Sequence, residues 1–168
     1  MFDVVLAADL DWGIGKAGGL PWPRLRGDLA HFRRVTTTTT REGAQNAVVM
    51  GRKTWESKEV NARPLPRRIN VVVSRATLIV PDGVIAARSL DNALATIGAE
   101  STFVVGGAGL IQDALEHVAL RFIYLTRIAG RFGCDVAIPD LDARGFLRDP
   151  TWEGEAIGED NGVRYRIE

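Results

Sequence analysis

The sequence predicts an α/β fold: a single domain built on a mixed, mostly parallel central sheet of about eight strands, with helices on both faces. Three observations predict it. Strand-length apolar runs alternate with helical patterns as far as residue 118, the order expected of a parallel sheet covered by helices. Beyond that point strands dominate, which suits an antiparallel edge on the same sheet. The 168 residues, 46% of them apolar, suit one core, and no linker or internal repeat divides residues 1–168.

The first strand is read over residues 2–8. Residues 9–23 follow as a Gly- and Pro-rich stretch with no regular period, long enough to be a lid or binding loop. A helix is predicted over residues 25–35, then a surface loop that begins with five threonines at 36–40. Residues 47–50 form a short buried-type strand, and Gly51 opens a short helix. Residues 69–73 form the next strand, and a helix over 90–97 is capped by Ser89. A strand at 102–105 runs through Gly106–Gly109 into a helix over 110–118, followed by a strand at 121–128. Residues 152–157 and 162–167 read as a closing hairpin around Glu159–Gly162.

Composition narrows the function. The 21 basic and 21 acidic residues give a formal net charge of zero. Neither nucleic acid nor an anionic membrane is therefore expected as a partner, and any phosphate must be held by locally placed groups. The start lacks a basic leader, and no apolar run is long enough to span a bilayer, so a cytoplasmic location is expected. Cys134 is the single cysteine, and His31 and His117 are the only histidines. No metal site is expected from that set. His31 reads as a helix-surface residue, His117 as a residue near a helix end, and Cys134 as a plain thiol. Trp12, Trp55 and Trp152 read as packing residues.

Two patterns carry chemistry. On a helical wheel Asp28 shares an apolar stripe with Leu25, Leu29, Phe32 and Val35, while Arg26, Arg33 and Arg34 point elsewhere. Pattern alone leaves two readings: a first-turn carboxylate suited to the helix dipole, or the floor of a ligand pocket. The second pattern is a pair of Gly-rich strand-to-helix turns, Gly51-Arg52-Lys53-Thr54 and Gly106-Gly107-Ala108-Gly109. Neither matches the dinucleotide or P-loop fingerprint. Together they favour a dinucleotide lying across the carboxyl ends of the strands. Ser74-Arg75 adds a phosphate-binding candidate, and its arginine favours NADP over NAD.

Several segments resemble the dihydrofolate reductase family in order and spacing: Leu20-Pro-Trp-Pro23, Asp28, Phe32, Met50-Gly-Arg-Lys-Thr-Trp55, Arg63-Pro-Leu-Pro66, Arg68, Val105-Gly-Gly107 and Tyr124-Leu-Thr126. Asp135 with Ile138-Pro139 and the closing Gly162–Arg166 extend the resemblance over nearly the whole chain. The longer loops around residues 36–46 and 58–62 resemble the vertebrate type. The resemblance implies NADPH-dependent reduction of 7,8-dihydrofolate to tetrahydrofolate, serving one-carbon metabolism. Asp28 would anchor the pterin, with Thr126 beside it, and the loop carrying Leu20 would gate a proton-delivering water assisted by Trp22. Val5, Leu6, Ala7, Phe32, Leu65 and Val105 would surround the pterin and aminobenzoyl group, and Arg68 would take the α-carboxylate of the glutamate tail. Ala7, Ile14, Gly51, Arg52, Lys53, Thr54, Ser74, Arg75, Arg88 and the segment Gly106, Gly107, Ala108, Gly109, Leu110 and Ile111 would hold NADPH. The Gly106–Gly107 bond would be cis. Dihydrofolate and antifolates are the implied ligands, and a monomer is expected. Ile111, where the family usually carries tyrosine, and Lys58, where it usually carries an apolar residue against the substrate, depart from the pattern. Gly19 and Val136-Ala137 are lesser departures. A related reductase acting on another ring, and a non-catalytic pterin- or nucleotide-binding protein, are the alternative readings.

Overall fold

Alternating side chains sort the chain into two buried faces around one sheet. The elements are β1 (Phe2–Ala8), β2 (Gly13–Gly15), α1 (Arg26–Thr37), β3 (Asn46–Gly51), α2 (Arg52–Trp55), β4 (Arg68–Val73), β5 (Val84–Ala87), α3 (Leu90–Thr96), β6 (Thr102–Gly106), α4 (Ala108–Leu115), β7 (Leu120–Ile128), β8 (Val136–Ala137), β9 (Ala156–Asp160) and β10 (Val163–Ile167). The computed structural model describes residues 1–152 and 156–168. Eight strands form one sheet in the order β5-β4-β3-β6-β1-β7-β10-β9, and β2 pairs with β8 in a separate ribbon. From β5 to β7 every pairing is parallel, and β10 joins β7 antiparallel before turning back into β9. This is the predicted α/β fold, with the mixed eight-stranded sheet and its antiparallel edge.

Period-two alternation decides which residues meet which helices. Val4 and Leu6 of β1, Val49 of β3, Val71 of β4 and Val104 of β6 face α3 and α4, packing with Leu90, Ala93, Leu110, Ile111 and Ala114. Their neighbours Val48, Met50 and Val72 pack on the other face with Trp55 of α2. Each fully buried aliphatic side chain contributes about 1.5–3 kcal/mol, so sealing both faces is the main stabilising term. One charge is buried at the start of β1. Asp3 receives Nε and Nη2 of Arg121 at 2.9 and 2.6 Å and the Phe122 amide at 3.2 Å. The paired guanidinium and the amide satisfy that carboxylate.

The β9–β10 hairpin fixes where α1 begins. Asp160 Oδ2 accepts the Gly27 amide at 2.9 Å and the Tyr165 hydroxyl at 2.9 Å. The carboxylate thus satisfies an orphan N–H at the helix N-terminus, where negative charge suits the dipole. The Gly27 amide and the Tyr165 hydroxyl hold Asp160 below the usual carboxylate range. Burial and then Asp160 push the Tyr165 phenol up to about 12.

Several local expectations are corrected. Residues 9–23 are not wholly irregular: β2 lies among them, and Lys16 bridges to Gly19. Those strands are too short and glycine-rich to show a period. The helix predicted at 25–35 begins one residue later and continues to Thr37, so two of the five threonines are helical. Their hydroxyls bond back to the helix, Thr36 to Phe32 O at 2.8 Å and Thr37 to Arg33 O at 2.7 Å, the pattern by which a threonine within a helix satisfies its hydroxyl. The helix predicted at 110–118 runs from Ala108 to Leu115. β5 and β8 were not anticipated; each depends on a distant partner strand. The first hairpin strand was expected at residues 152–157 but is Ala156–Asp160; residues 153–155 lie outside the described residues. The turn, with Asn161 and Gly162 at φ 52° and 75°, is the expected one, its two positive angles matching the twist of a tight hairpin. His31 is not on the surface. It is 3% exposed, tilted against Tyr124, with Arg34 at 3.2 Å from Nδ1, and burial and Arg34 lower its pKa. The helix turns that position inward, which no local polarity pattern reveals. Ser89 caps α3 as predicted, accepting from the Asn92 amide at 3.1 Å.

Gly27 is the tightest point of this arrangement, because a Cβ there would overlap Tyr165 Oη. Gly27→Ala is expected to cost about 1–3 kcal/mol through overpacking. Removing the hydroxyl by Tyr165→Phe in the same chain should return part of that loss. Urea unfolding of both single variants and the double variant checks the coupling; additive losses would refute it.

Candidate active site

The chemistry-bearing residues gather at the carboxyl ends of the parallel strands. Asp28 lies in the first turn of α1, half-buried, with its side chain hydrogen-bonded to that of Thr126. Thr126 is 2% exposed and stands opposite Ala7 in the β1–β7 register. Burial pushes the Asp28 carboxyl above its ordinary value, and the Thr126 hydrogen bond offsets part of the rise. Beside it, Trp22 is buried among Leu25, Ile128, Tyr165 and Ala7, edge-on to Phe132 at 5.8 Å. The Trp22 indole Nε1 is buried without a hydrogen-bond partner. A buried donor without a partner is costly and marks a place for a water or a ligand acceptor.

The expected walls divide between the two faces. Strand alternation sets Val5 and Ala7 on the Thr126 face and turns Leu6 into the core under α3 and α4. On the near face Val105 and Leu65 pack around Met50 and Trp55. Asn70 locks Leu65 in place, its amide group bonding the Leu65 backbone at 2.8 and 3.0 Å. Phe32 is half-buried, with the Arg68 guanidinium 5.7 Å from its ring centroid. Arg68 also donates to Thr36 Oγ1 at 2.8 Å and Pro66 O at 3.1 Å, which orients the fork. Burial first, then Arg33 and Arg67, lower its pKa.

The second group of candidates follows strand ends one after another. Gly51 closes β3 and Arg52–Thr54 open α2; Ser74 and Arg75 follow β4; Arg88 follows β5; Gly106 closes β6 and Gly107 caps α4. The two glycine turns face each other closely. A Cβ at Gly106 or Gly107 would stand 3.0 or 3.2 Å from Thr54 Oγ1, and one at Gly51 would stand 3.4 Å from Gly107 N. The Gly106–Gly107 peptide is cis. No side chain caps α4, so its first-turn amides remain available to an anion. Arg88 donates to Arg75 O at 2.6 Å, which ties the two arginines together. Ser74 is turned inward, its hydroxyl donating to Ala76 O at 2.9 Å. Arg52 pairs with Glu56 at 2.9 Å, and Lys53 is exposed. The side chains of Leu110 and Ile111 pack in the core, Ile111 being 1% exposed.

The loop carrying Leu20 is tied to two distant segments. Its Ala17 amide donates to Asp135 at 2.9 Å, and its Leu20 amide donates to Glu59 at 2.8 Å. Lys58 donates its backbone N–H to Gly18 O at 3.3 Å, and a Cβ at Gly19 would stand 3.3 Å from its Cδ. Leu20 itself is 41% exposed, and Ile14 packs half-buried against the main core. The root of the loop is held by Asp9, 1% exposed, which accepts the amides of Asp11, Gly13 and Phe132 at 2.9, 2.9 and 3.0 Å. Cys134 also donates to Asp9, and burial followed by that carboxylate raises its thiol pKa. Sequence reading missed Asp9 and Glu59. Asp9 directly precedes the glycine-rich stretch, its one local signal; Glu59 has none, and the two residues' partners lie up to 123 positions away.

The whole chain, residues 1–168, matches the family model described as dihydrofolate reductase. It is 38% identical to the dihydrofolate reductase of Rattus norvegicus, covering 98% of this chain and 93% of that protein. Against the dihydrofolate reductase of Mus musculus it is 37% identical, with the same coverage of each. The Schistosoma mansoni dihydrofolate reductase structure superposes with a TM-score of 0.81 at 35% identity, covering 99% of this chain and 94% of that one.

The sign of the Asp28 shift gives a test. Its raised carboxyl pKa means that the stability it allows is full below the ordinary value of 3.8 and is lost as pH rises through the folded value. Asp28→Asn keeps the shape without the charge. The variant is expected to melt above the native protein at neutral pH, with the gap widening from about pH 4 upward. Melting curves across pH check this; a native protein that is the more stable at neutral pH would refute it.

Proposed function

The chain belongs to the dihydrofolate reductase family, and on that premise we propose that it reduces dihydrofolate with NADPH, Asp28 anchoring the pterin. It is an oxidoreductase, and the reaction is reduction of dihydrofolate to tetrahydrofolate. The observation that carries the finer reading is the half-buried Asp28 carboxylate, bonded to Thr126 and set beside the partnerless Trp22 indole. An acid kept at such a place needs a donor-rich ring to satisfy it. The pterin 2-amino group and N3 supply those donors.

The residues present fit a phosphorylated dinucleotide. Facing glycine turns, around which an added Cβ would crowd Thr54, leave backbone amides open to a pyrophosphate. Arg75 and Arg88 stand together at the adjoining strand ends, where a 2′-phosphate would be read, with Ser74 beside them and Arg52 and Lys53 on the next turn. When bound, NADPH supplies the hydride that goes to C6 of the pterin. The chain's own residues do the rest. Asp28 and Thr126 fix the ring edge, Val5, Ala7, Phe32, Leu65 and Val105 shape the walls, and Arg68 takes a carboxylate of the tail. Lys58 stands at the mouth, where its stem would lie along the aminobenzoyl group. The Leu20 loop, tied across the cleft by Asp135 and Glu59, excludes bulk water and admits the molecule that protonates N5. Trp22 Nε1 would donate to that water or to one bridging Asp28. Orientation in a dry site supplies most of the rate. We place this activity in the cytoplasm, in a monomer, with antifolates competing for the same pocket. Among the described residues no helix is long and apolar enough to cross a membrane.

Two measurements test the reading. Loss of NADPH absorbance with dihydrofolate is expected for the native protein, and Asp28→Asn should lower kcat/KM at neutral pH by at least about 100-fold. No dihydrofolate-dependent oxidation between about pH 5 and 9 would overturn it, that range bracketing the pKa values usual for an essential acid or base. Arg75→Ala should weaken NADPH far more than NADH; equal losses would show that Arg75 does not read the 2′-phosphate.

A further inference from the structure

β10 pairs with β7 only from Thr126 to Ile128. Beside the earlier residues of β7, and bordered by residues between Leu141 and Trp152, lies a cavity of about 410 Å³. That volume falls within the roughly 300–1,000 Å³ of small-molecule sites. Trp12, Tyr124, Leu141, Phe146 and Trp152 give it aromatic and apolar walls. Trp12 and Leu141 are buried in the main core, and Tyr124 and Trp152 meet edge to face with 5.7 Å between ring centroids. Arg127 lines the cavity as well, and strand alternation turns it to the opposite face of β7 from Thr126. Neither Asp28, Thr126 nor Trp22 is among the lining residues, so the cavity stands apart from the proposed pterin site.

Two residues of this lining hold a buried donor without a hydrogen-bond partner: Nη1 of Arg127 and the indole Nε1 of Trp152. Such donors call for an acceptor. The Arg127 guanidinium lies over the Trp12 ring, 3.9 Å from its centroid. The ring face favours the positive charge but offers nothing to the N–H groups in the guanidinium plane. The other arginines of the lining are engaged, Arg121 with Asp3 and both Arg148 and Arg166 with Glu168. Asp142, Asp149 and Glu168 also border the cavity, so a multiply charged anion would meet repulsion there. A single carboxylate offers acceptors to both donors and suits a guanidinium best. A planar ring beside it would meet the aromatic walls edge-on or in offset stacking.

We propose that this cavity is a second ligand site, one that takes a small aromatic monocarboxylate. The carboxylate accepts from Arg127 Nη1 and Trp152 Nε1, and the ring lies among Trp12, Tyr124 and Phe146. Phe122 and Leu147 line the cavity and are exposed, so the ring meets apolar surface as it enters. The site rests on the cavity and its unmet donors, and stands whether or not the chain reduces dihydrofolate.

The test titrates 1-naphthoate into the isotope-labelled native protein and follows the indole N–H resonances. The Trp152 signal is identified by its loss in Trp152→Phe, and the Trp22 signal by its loss in Trp22→Phe. Naphthoate should move the Trp152 signal saturably, at about millimolar affinity for so small a ligand, and leave Trp22 in place. Movement of Trp22 with Trp152 unmoved would seat the probe in the cleft and overturn the assignment, as would no movement of Trp152 up to about 10 mM. The neutral 1-naphthamide should bind the native protein about tenfold more weakly, since it cannot form the charged hydrogen bond. Arg127→Met, which keeps an apolar stem over Trp12, should lose about the same factor for naphthoate. Equal affinity for acid and amide overturns the proposal, and so does unchanged naphthoate affinity in both Arg127→Met and Trp152→Phe. If Arg127→Met does not fold, the acid-to-amide ratio and the Trp152 signal decide it on the native protein.

Discussion

Parallel strands sealed on both faces leave their carboxyl ends as the place where backbone and charge can meet a ligand. Val48 and Met50 bury on one face of β3 and Val49 on the other, so neither face has room for chemistry. The turns after β3, β4, β5 and β6 therefore carry Gly51–Thr54, Ser74-Arg75, Arg88 and Gly106–Gly107, and β1 and β7 bring Ala7 and Thr126 to the same edge. The dinucleotide and pterin halves of the proposed site are adjacent because β6 and β1 are neighbours in the sheet.

Asp28 shows how such a site departs from the rules of the core. A carboxylate in an apolar helix stripe is held above its normal pKa by burial, and one threonine only partly compensates. Asp3 and Asp9 are more deeply buried, yet each has several donors and serves the fold. That difference in satisfaction sets Asp28, the proposed pterin anchor, apart from the two structural acids. The helix bearing Asp28 is in turn fixed by Asp160 and Tyr165 from the last hairpin, so the end of the chain positions a residue near its beginning.

The loop carrying Leu20 is positioned by carboxylates. Asp9 holds its root, Asp135 its middle and Glu59 the far side of the cleft, each through backbone amides. Amide-to-carboxylate contacts of this kind restrain a loop without demanding particular side chains in it; Gly18, with open space where a Cβ would stand, has no packing role. The tie to Glu59 is exposed, and exposed hydrogen bonds open at little cost, as the proposed gating role of the loop requires.

Much of the fold was legible in the sequence, because period-two and helical patterns report burial directly. So was much of the site: glycine turns, a first-turn aspartate on an apolar stripe and ordered family-like motifs are local signals. By itself the sequence determined the fold class, the antiparallel edge, the Ser89 cap, the Asn161-Gly162 turn and the candidate positions from Asp28 to Arg75. Only the tertiary structure decided that Leu6 faces away from Ala7's pocket, that Ile111 is core, that His31 is buried against Tyr124 and that β5 and β8 are strands. It also decided that Arg67, just before β4, joins Arg24, Arg26, Arg33 and Arg34, from the approach to α1 and its outer face, in one charged surface. The reason is physical: local pattern records how often a chain turns toward its core, whereas contacts between residues tens of positions apart are set by strand order and helix rotation, which no short window of sequence contains.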